Sequence, residues 1–235
     1  MNRDSRKLLA IGGINGAVER LVQLFAELQE RPVAAVAVVG DLGAPWSKAD
    51  TYRVIFKALG RAQTPAYWVP GPTDAPLGDY LSESYNIETV YPHLHGLHGT
   101  AALGPGQFLF AGMGGEIVDD PSAIRIEEAL LRYPAWEAEY RLKVIREFKE
   151  HPKVFLFATR PAHKGLRERG SEALAELIKT YNPRLAIVAG EGVSEERLAK
   201  TIVVCPGRLD RGQYAVIDLQ DRSVEVGTIA ETAAV

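Results

Sequence analysis

The residues of this chain that could do chemistry are concentrated in five polar turns, each of which directly follows a short apolar run. The turns are residues 12–16 (turn 1), 40–41 (turn 2), 71–74 (turn 3), 159–161 (turn 4) and 190–192 (turn 5). Short apolar runs that end at glycine or proline are typical of buried strands. Open α/β sheets bind ligands at the carboxyl ends of their strands. The pattern therefore predicts one ligand-binding site built from all five turns.

The elements that must position these turns alternate between strand and helix. Residues 17–28 and 48–59 have apolar side chains at helical spacing between the first three strands, which indicates a β-α-β-α-β segment of parallel sheet. A second βαβ segment spans residues 154–189. Short apolar runs elsewhere, including 87–91 and 202–205, predict antiparallel strands. We expect an α/β fold, a four-layer α/β/β/α sandwich of two mixed sheets, and a single domain over residues 1–235.

Composition limits the classes of partner and compartment. The chain has 235 residues, of which 46% are hydrophobic and 24% charged, and its formal net charge is -3. We expect no binding to nucleic acid or membrane, because this charge attracts neither and no apolar run has the roughly 20 residues of a membrane span. The polar N-terminus predicts no signal peptide, and the single cysteine, Cys205, permits no intrachain disulfide. These features favour a cytoplasmic protein.

A stripe of large apolar residues occupies the middle of the chain. Trp136, Tyr140, Val144 and Phe148 follow one another at strict i, i+4 spacing after Pro134. An apolar face of this kind usually packs against the core of a protein. We therefore predict a helix whose stripe is buried.

A histidine cluster and a Cys-x5-Arg pattern are open to two interpretations each. His93, His95 and His98 predict a polar strand face or loop, or alternatively a metal-binding pair. Cys205 and Arg211 have the spacing of the thiol phosphatases, although the following residues indicate a strand rather than the helix that would lower the thiol pKa. A buried cysteine at the end of a strand is the other interpretation.

Turns 1 and 4 contain groups suited to a phosphate. Turn 1 partly matches a dinucleotide-binding fingerprint, with Gly13 and Gly16 at two of its three glycine positions. Arg160, His163 and Lys164 lie in or just after turn 4, and arginine offers a bidentate fork to phosphate or carboxylate. The candidate phosphate-binding residues are therefore Arg160, Lys164, Gly13 and Gly16, and the alternative is a solvated loop.

The order of the turns resembles that of the calcineurin-like metallophosphoesterases. In that family five strands are followed in this order by Asp-x-His-Gly, Gly-Asp, Gly-Asn-His-Asp, a histidine before a polar residue and proline, and Gly-His-x-His. The resemblance extends over about residues 7–219 and includes the late turn Pro206-Gly207. It implies the family's fold, a dinuclear metal site and hydrolysis of phosphate monoesters or diesters.

The resemblance also implies which residues would hold the metal ions, and most of these positions have changed. The bridging aspartate corresponds to Asp41, and the last aspartate of the third motif to Asp74. The family's remaining ligands and its catalytic histidine correspond to Gly13, Asn15, Pro72, Thr73, Thr159, Glu191 and Val193. A two-metal site needs imidazole and carboxylate ligands in fixed geometry. The resemblance therefore implies a divergent member with a degraded dinuclear site.

Three functions are compatible with this pattern. The first is an inactive or weakly active protein with a binding or regulatory role. The second is a phosphoesterase with a metal site rebuilt from oxygen ligands, for which the candidates are Asp41, Asn15, Glu191 and Thr159. Such ligands suit at most one weakly bound Ca²⁺ or Mg²⁺ ion. The third is a nucleotide- or phosphate-binding module whose partner is a phosphate-containing small molecule.

Two residues are candidates for catalysis, Asp74 and His163. A carboxyl group or an imidazole can transfer a proton, whereas the threonine at the family's catalytic position does not titrate near neutral pH. A structural interpretation of Asp41 and Asp74 is equally open: the two carboxylates can cap helices and connect loops.

Overall fold

The structure is a computed structural model that describes residues 6–125, 130–163 and 170–229. Its strands are β1 (Lys7–Gly12), β2 (Ala35–Val39), β3 (Ala66–Trp68), β4 (Leu94–Gly96), β5 (Thr100–Leu103), β6 (Leu109–Met113), β7 (Glu116–Val118), β8 (Arg132–Pro134), β9 (Lys153–Phe157), β10 (Leu185–Val188), β11 (Val193–Leu198), β12 (Thr201–Pro206), β13 (Gln213–Asp218) and β14 (Val224–Thr228). Its α-helices are α1 (Val18–Glu27), α2 (Ala49–Arg61), α3 (Leu77–Val90), α4 (Ala135–Leu142) and α5 (Glu172–Tyr181). Within these ranges, no helix is both long and apolar enough to cross a membrane.

Two six-stranded mixed sheets form the centre of the fold. In the first sheet β1 to β4 are parallel, and β13 and then β14 extend it antiparallel from β1. In the second sheet β6, β9, β10 and β12 are parallel, and the antiparallel strands β5 and β11 form its two edges. Each of the five apolar runs in the sequence forms one of the parallel strands, so each polar turn follows a strand as predicted.

Three apolar clusters hold four layers together. The first lies between the first sheet and its helices, the second between the two sheets, and the third between the second sheet and helices α4 and α5. Alternation along β9 shows how one strand serves two of them, since Phe155 and Phe157 belong to the third cluster while Val154 and Leu156 belong to the second. The predicted α/β/β/α sandwich of two mixed sheets is confirmed.

Two predicted strands differ from the structure. Residues 87–90 form the end of α3 rather than a strand. The buried face of this helix includes Glu83 and Ser84 beside Tyr80 and Ile87, so its apolar periodicity is weak in the sequence. Residues 202–205 were predicted to form an antiparallel strand. This is correct for the pairing of β12 with β11, but β12 pairs parallel with β10.

The apolar stripe on α4 is exposed, which contradicts the prediction that it is buried. The residues that pack inward from this segment are Ala138, Leu142 and Ile145. The α-helix ends at Leu142 and continues as a 3₁₀ turn over Lys143–Glu147. Small and aliphatic side chains therefore pack against the second sheet, and the larger residues are exposed.

The histidine cluster contributes to packing. The ring of His95 stacks on Tyr67 at 5.4 Å between centroids. His98 Nδ1 accepts a hydrogen bond of 3.2 Å from the backbone N–H of Gly114. Burial, and secondly the nearby Arg141, lower the pKa of His98 to about 4. This histidine is therefore neutral at pH 7 and fixes the chain just after β6.

A carboxylate connects the β7 segment to the start of α5. Asp119 accepts hydrogen bonds from Ser171 Oγ at 2.5 Å and from the backbone N–H groups of Glu172 at 2.7 Å and Ala173 at 3.1 Å. Ser171 in turn caps the helix by accepting from the N–H of Leu174. These bonds satisfy N–H groups that have no partner within the helix.

Replacing Asp119 by alanine is expected to lower the free energy of unfolding by about 1–2 kcal/mol, because the helix N-terminus loses its acceptor. Urea denaturation measures the change. Asp120→Ala is the matched control, since the Asp120 carboxylate accepts from Ser122 within the adjacent short turn rather than from the N–H groups of α5. Equal effects of the two substitutions would contradict the role given to Asp119.

His98→Asn tests the lowered pKa of the histidine, because an asparagine amide oxygen can still accept from Gly114. A histidine whose pKa falls from 6.5 to about 4 on folding stabilises the protein above pH 6.5, and this contribution is lost as the pH falls toward 4. Relative to the variant, the wild type should lose about 1 kcal/mol per pH unit near pH 5. Parallel stability curves for the two proteins between pH 7 and pH 4 would refute this assignment.

Candidate functional site

The five polar turns meet in one cavity at the carboxyl ends of the parallel strands. Its volume is about 290 Å³. Its lining residues are Gly13, Asn15, Gly40, Asp41, Pro72, Glu116, Ala158, Thr159, Arg160, Ala189, Gly190, Glu191 and Arg208. Every turn contributes at least one residue, and Glu116 and Arg208 come from segments that the sequence prediction did not include.

Backbone hydrogen bonds hold turn 1 against turn 2. The N–H groups of Gly13, Asn15 and Gly16 donate to carbonyl oxygens of residues 39, 41 and 42 at 3.1, 3.0 and 2.8 Å. Gly13 and Gly16 have φ values of 40° and 77°, which glycine adopts without a steric penalty. The N–H groups of the two predicted phosphate-binding glycines are thus engaged in holding turn 1 to turn 2.

Asp74 connects turn 2 to turn 3 from beneath the cavity. Its side chain is completely buried, and its carboxylate accepts from the N–H groups of Leu42, Gly43 and Gly71 at 2.9, 2.8 and 2.8 Å. Burial raises the pKa of Asp74 to about 7, while the three N–H groups act in the opposite direction. Asp74 does not line the cavity, and its position agrees with the structural interpretation of this residue rather than the catalytic one.

Asp41 lies at the cavity wall. Its Oδ1 accepts from the N–H of Thr73 at 2.8 Å. A Cβ atom on Gly71 would overlap with the same oxygen, so the carboxylate keeps this position only because residue 71 is glycine. The family's bridging aspartate therefore has its counterpart at the expected strand end.

Turn 4 supplies a hydroxyl that the backbone already uses. Thr159 Oγ1 accepts from the N–H of Ile117 at 2.7 Å and donates to the carbonyl of Gly115 at 3.1 Å. His163 is half-buried and is not among the lining residues. Lys164, the other predicted phosphate-binding cation of this loop, lies outside the described residues.

Arg160 joins turn 4 to turn 5. Only 8% of the residue is exposed. Its Nε donates to the carbonyl of Ala189 at 3.0 Å, and its Nη2 lies 3.0 Å from Cys205 Sγ. A Cβ atom on Gly190 would overlap with Nη2, so glycine is required for the guanidinium to occupy this position.

A network of two arginines and two carboxylates occupies the other side of the cavity. Arg208 forms a bidentate pair with Asp210, through Nε at 3.0 Å and Nη2 at 2.5 Å. Its Nη1 contacts Glu191 at 2.9 Å, and Arg211 binds the same carboxylate at 2.8 Å. Asn15 Nδ2 donates to Asp210 at 3.2 Å. Hydrogen bonds to Asp210 and, secondarily, to Glu191 raise the pKa of Arg208 further above its ordinary value, against the effect of burial.

Arg208 also occupies space next to turn 1. A Cβ atom on Gly13 would lie 3.2 Å from Cγ of Arg208. The resemblance places a metal-binding aspartate at position 13, so an arginine stem lies beside the position where the family has a ligand. The sequence analysis missed Arg208, although the Pro206-Gly207 turn directly before it was a signal that this segment reaches the site.

The described side chains do not fit a dinuclear metal centre. Across residues 6–125, 130–163 and 170–229, no group of three or more His, Cys, Asp or Glu side chains is placed to hold a metal ion. The oxygen of Thr159 is taken by backbone groups, and Glu191 is bound by two guanidinium groups. A transition-metal pair needs several imidazole and carboxylate ligands, and this donor set lacks them.

The thiol phosphatase interpretation is wrong. Cys205 is completely buried within β12, and the arginine at the required spacing, Arg211, is bound to Glu191. A phosphate-binding cysteine requires a loop that opens a helix. The interpretation of Cys205 as a buried strand-end residue is the one that the structure confirms.

Comparisons with known proteins agree with this fold. Residues 48–229 match a family described as metallophosphoesterase, calcineurin superfamily. The crystal structure of TT1561 of Thermus thermophilus is 43% identical over 95% of this chain and 99% of that chain, with a TM-score of 0.90. A second solved structure is 28% identical over 96% of this chain and 99% of that chain, with a TM-score of 0.85.

A more distant solved structure shows a similarity of fold alone. A structure described as a novel archaeal phosphodiesterase is 8% identical over 95% of this chain and 99% of that chain; with a TM-score of 0.56, it shares the fold. No protein of curated function matches the sequence. On the family match and the likeness to TT1561, this chain belongs to the calcineurin superfamily of metallophosphoesterases.

Proposed function

We propose that this chain is a divergent metallophosphoesterase whose dinuclear metal site is degraded and whose cavity binds a phosphate-containing small molecule. In this proposal the protein is inactive or weakly active as a hydrolase and has a binding or regulatory role. The observation that carries it is the position of Arg208, whose guanidinium bridges Glu191 and Asp210 beside turn 1. A fixed organic cation takes the place that metal ions have in the family.

The guanidinium groups around the cavity support an anionic ligand. Arg160 lines the cavity from one side and Arg208 from the other, with Arg211 next to it at the same carboxylate. Guanidinium groups bind phosphate through two parallel hydrogen bonds without a metal ion. The volume of about 290 Å³ is at the small end of the roughly 300–1,000 Å³ of ligand pockets, so it suits a phosphate group with a small substituent.

Glu191 is the anion that such a ligand would displace. Its side chain is 58% exposed, and it pairs with Arg208 and Arg211 at the edge of the cavity. Exposed ion pairs contribute only about 0–1 kcal/mol, so an incoming phosphate can replace this carboxylate at little cost. Glu191 then acts as an internal competitor for the two guanidinium groups.

The residues present also support weak or absent hydrolysis. The family's metal pair activates a water molecule and stabilises the transferring phosphoryl group. Here neither proline at position 72 nor threonine at position 73 can act as a general acid near neutral pH. His163, the remaining candidate for proton transfer, does not line the cavity.

Opposite effects of two substitutions test the phosphate site. Arg208→Gln should weaken binding of inorganic phosphate by roughly 10-fold or more, because a charge-assisted hydrogen bond is lost. Glu191→Gln should strengthen binding by up to about 5-fold, because the competing anion is removed. Isothermal titration calorimetry in chelator-treated buffer measures both. Unchanged affinity in the two variants, with circular dichroism showing intact folds, would dispose of the site.

The hydrolytic part is tested separately. The wild-type chain should hydrolyse bis(p-nitrophenyl) phosphate no faster than buffer when Mn²⁺, Mg²⁺, Ca²⁺ or Zn²⁺ is added in turn. Asp41→Ala is the control, since it removes the one metal ligand that the family comparison retains. Metal-dependent turnover that disappears in Asp41→Ala would contradict the proposal and favour an enzyme.

One observation favours a second candidate function, a phosphoesterase with a single hard cation bound at Asp41. Only Oδ1 of this carboxylate has a described hydrogen bond, with Thr73, while the side chain lines the cavity. Ca²⁺ or Mg²⁺ would complete its shell with water. For this candidate Glu191→Gln should weaken binding of the cation, so the same variant separates the two functions by the sign of its effect.

We propose a cytoplasmic location for this chain. A reducing compartment such as the cytoplasm suits a chain whose single cysteine is buried and forms no disulfide.

A further inference from the structure

The cavity formed by the five turns carries charges of both signs in equal number. The ionisable side chains that line it, together with their described ion-pair partners, are four carboxylates and four guanidinium groups. The carboxylates belong to Asp41, Glu116, Glu191 and Asp210, and the guanidinium groups to Arg132, Arg160, Arg208 and Arg211. A phosphate monoester has a charge of about −1.5 to −2 at pH 7. A ligand with that charge alone would leave the balanced cavity with a negative excess.

Three acceptor oxygens at the cavity have no hydrogen-bond partner within the described part of the chain. Asp41 uses only Oδ1, which accepts from a backbone N–H of turn 3. Glu116 uses only Oε2, which accepts from Nε of Arg132 at 2.6 Å. The amide of Asn15 donates through Nδ2 to a carboxylate, and its oxygen accepts no described bond. The remaining acceptors are therefore Oδ2 of Asp41, Oε1 of Glu116 and Oδ1 of Asn15.

These acceptors suit a positively charged donor. Asn15 and Asp41 are neighbours in space, since the N–H of Asn15 donates to the carbonyl of Asp41 at 3.0 Å. Glu116 begins β7, which turn 4 fixes through the bond between Thr159 Oγ1 and the N–H of Ile117. An ammonium group has three N–H donors and no acceptor. Two carboxylates and one amide oxygen that line the same cavity supply what such a group needs.

We infer that the ligand of this cavity is a small zwitterion, a phosphate monoester whose short aliphatic chain ends in an ammonium group. The inference rests on the proposed phosphate site and names the ligand class for it. The phosphate displaces Glu191 from Arg208 and Arg211, and the ammonium group binds the carboxylate of Asp41. Because the ligand brings charges of both signs, it pairs with both kinds of side chain and leaves the charge balance of the cavity nearly unchanged.

The size of the cavity favours a free monoester over a lipid headgroup of the same chemistry. Its volume of about 290 Å³ lies at the small end of the roughly 300–1,000 Å³ of ligand pockets, so a linker of about two carbons suits it. A headgroup phosphodiester has a second substituent on the phosphate and one negative charge instead of nearly two. It therefore needs more room and binds the guanidinium groups less strongly.

Two nearly isosteric phosphates test the ligand class on the wild-type chain. Isothermal titration calorimetry near neutral pH, in chelator-treated buffer, compares O-phosphoethanolamine with propyl phosphate, which has a methyl group in place of the ammonium. O-Phosphoethanolamine should bind roughly 10-fold more tightly, because only its ammonium forms a charge-assisted hydrogen bond with Asp41. Glycerophosphoethanolamine, the diester, should bind more weakly than O-phosphoethanolamine.

Asp41→Asn tests the residue to which the preference is assigned. The asparagine oxygen can still accept from the N–H of Thr73, so the turn keeps its hydrogen bond while the negative charge is lost. Affinity for O-phosphoethanolamine should fall roughly 10-fold, to that of propyl phosphate, whose own affinity should not decrease. Asp120→Asn is the matched control, because Asp120 does not line the cavity, and it should leave both affinities unchanged.

The outcomes separate this inference from the proposed function. Equal wild-type affinities for O-phosphoethanolamine and propyl phosphate would overturn the zwitterionic ligand while the phosphate site stands. So would a preference that persists in Asp41→Asn, with circular dichroism showing an intact fold. Tighter binding of the diester would overturn the assignment to a monoester. Absence of binding by every phosphate compound would overturn the phosphate site itself, and the inference with it.

Discussion

The ion pairs of Arg208 determine what the strand-end cavity can do. This guanidinium binds Asp210 through two hydrogen bonds and reaches Glu191 with its remaining nitrogen. A carboxylate held by guanidinium groups is a poor ligand for a divalent cation, because metal binding would leave the positive groups unpaired in a partly buried space. The same arrangement keeps guanidinium groups at the cavity without any metal. The proposed change from metal-dependent hydrolysis to anion binding rests on this substitution of one kind of cation for another.

The hydrogen bonds that hold the turns around the cavity do not depend on the proposed change from metal binding to anion binding. Asp74 holds turn 2 to turn 3 through three backbone N–H groups, and the N–H groups of turn 1 bond to the carbonyls after β2. Arg160 connects turn 4 to turn 5 in a space that only glycine at position 190 leaves open. None of these contacts needs a metal ion. The family fold can therefore persist while the residues that face the cavity vary, and kinship by fold leaves the activity open.

Much of the fold could be predicted from the sequence because its parallel strands are short, apolar and bounded by breakers. Buried strands of this kind can be recognised in the sequence without any knowledge of their neighbours, and both mixed sheets were predicted from them. The prediction that the apolar side chains of α4 are buried was wrong, because the sequence does not show what lies beneath a helix face. Apolar spacing identifies a helix face, but whether that face meets the core or solvent depends on which side chains pack inward, here Ala138 and Leu142. Helix α3 was missed because its buried face carries Glu83 and Ser84, and Glu83 is satisfied by Arg53 from α2 at 2.7 Å.

The site was predictable only in outline. The turns that converge on it could be named from their positions after strands, and Asp41, Asn15, Thr159, Arg160 and Glu191 all line the cavity. Which of their atoms remain available could not be predicted, since that depends on partners distant in sequence. Arg208 illustrates the limit: it lies 17 residues from Glu191 along the chain and meets it only because β12 runs beside β10.

An anomalous difference map from crystals grown with Mn²⁺ and phosphate tests the central claim most directly. The account predicts guanidinium density beside the carboxylate of Asp210, phosphate in place of the Glu191 carboxylate at the same guanidinium, and no pair of anomalous peaks. Two closely spaced manganese peaks bridged by Asp41, with Arg208 displaced from the cavity, would contradict it.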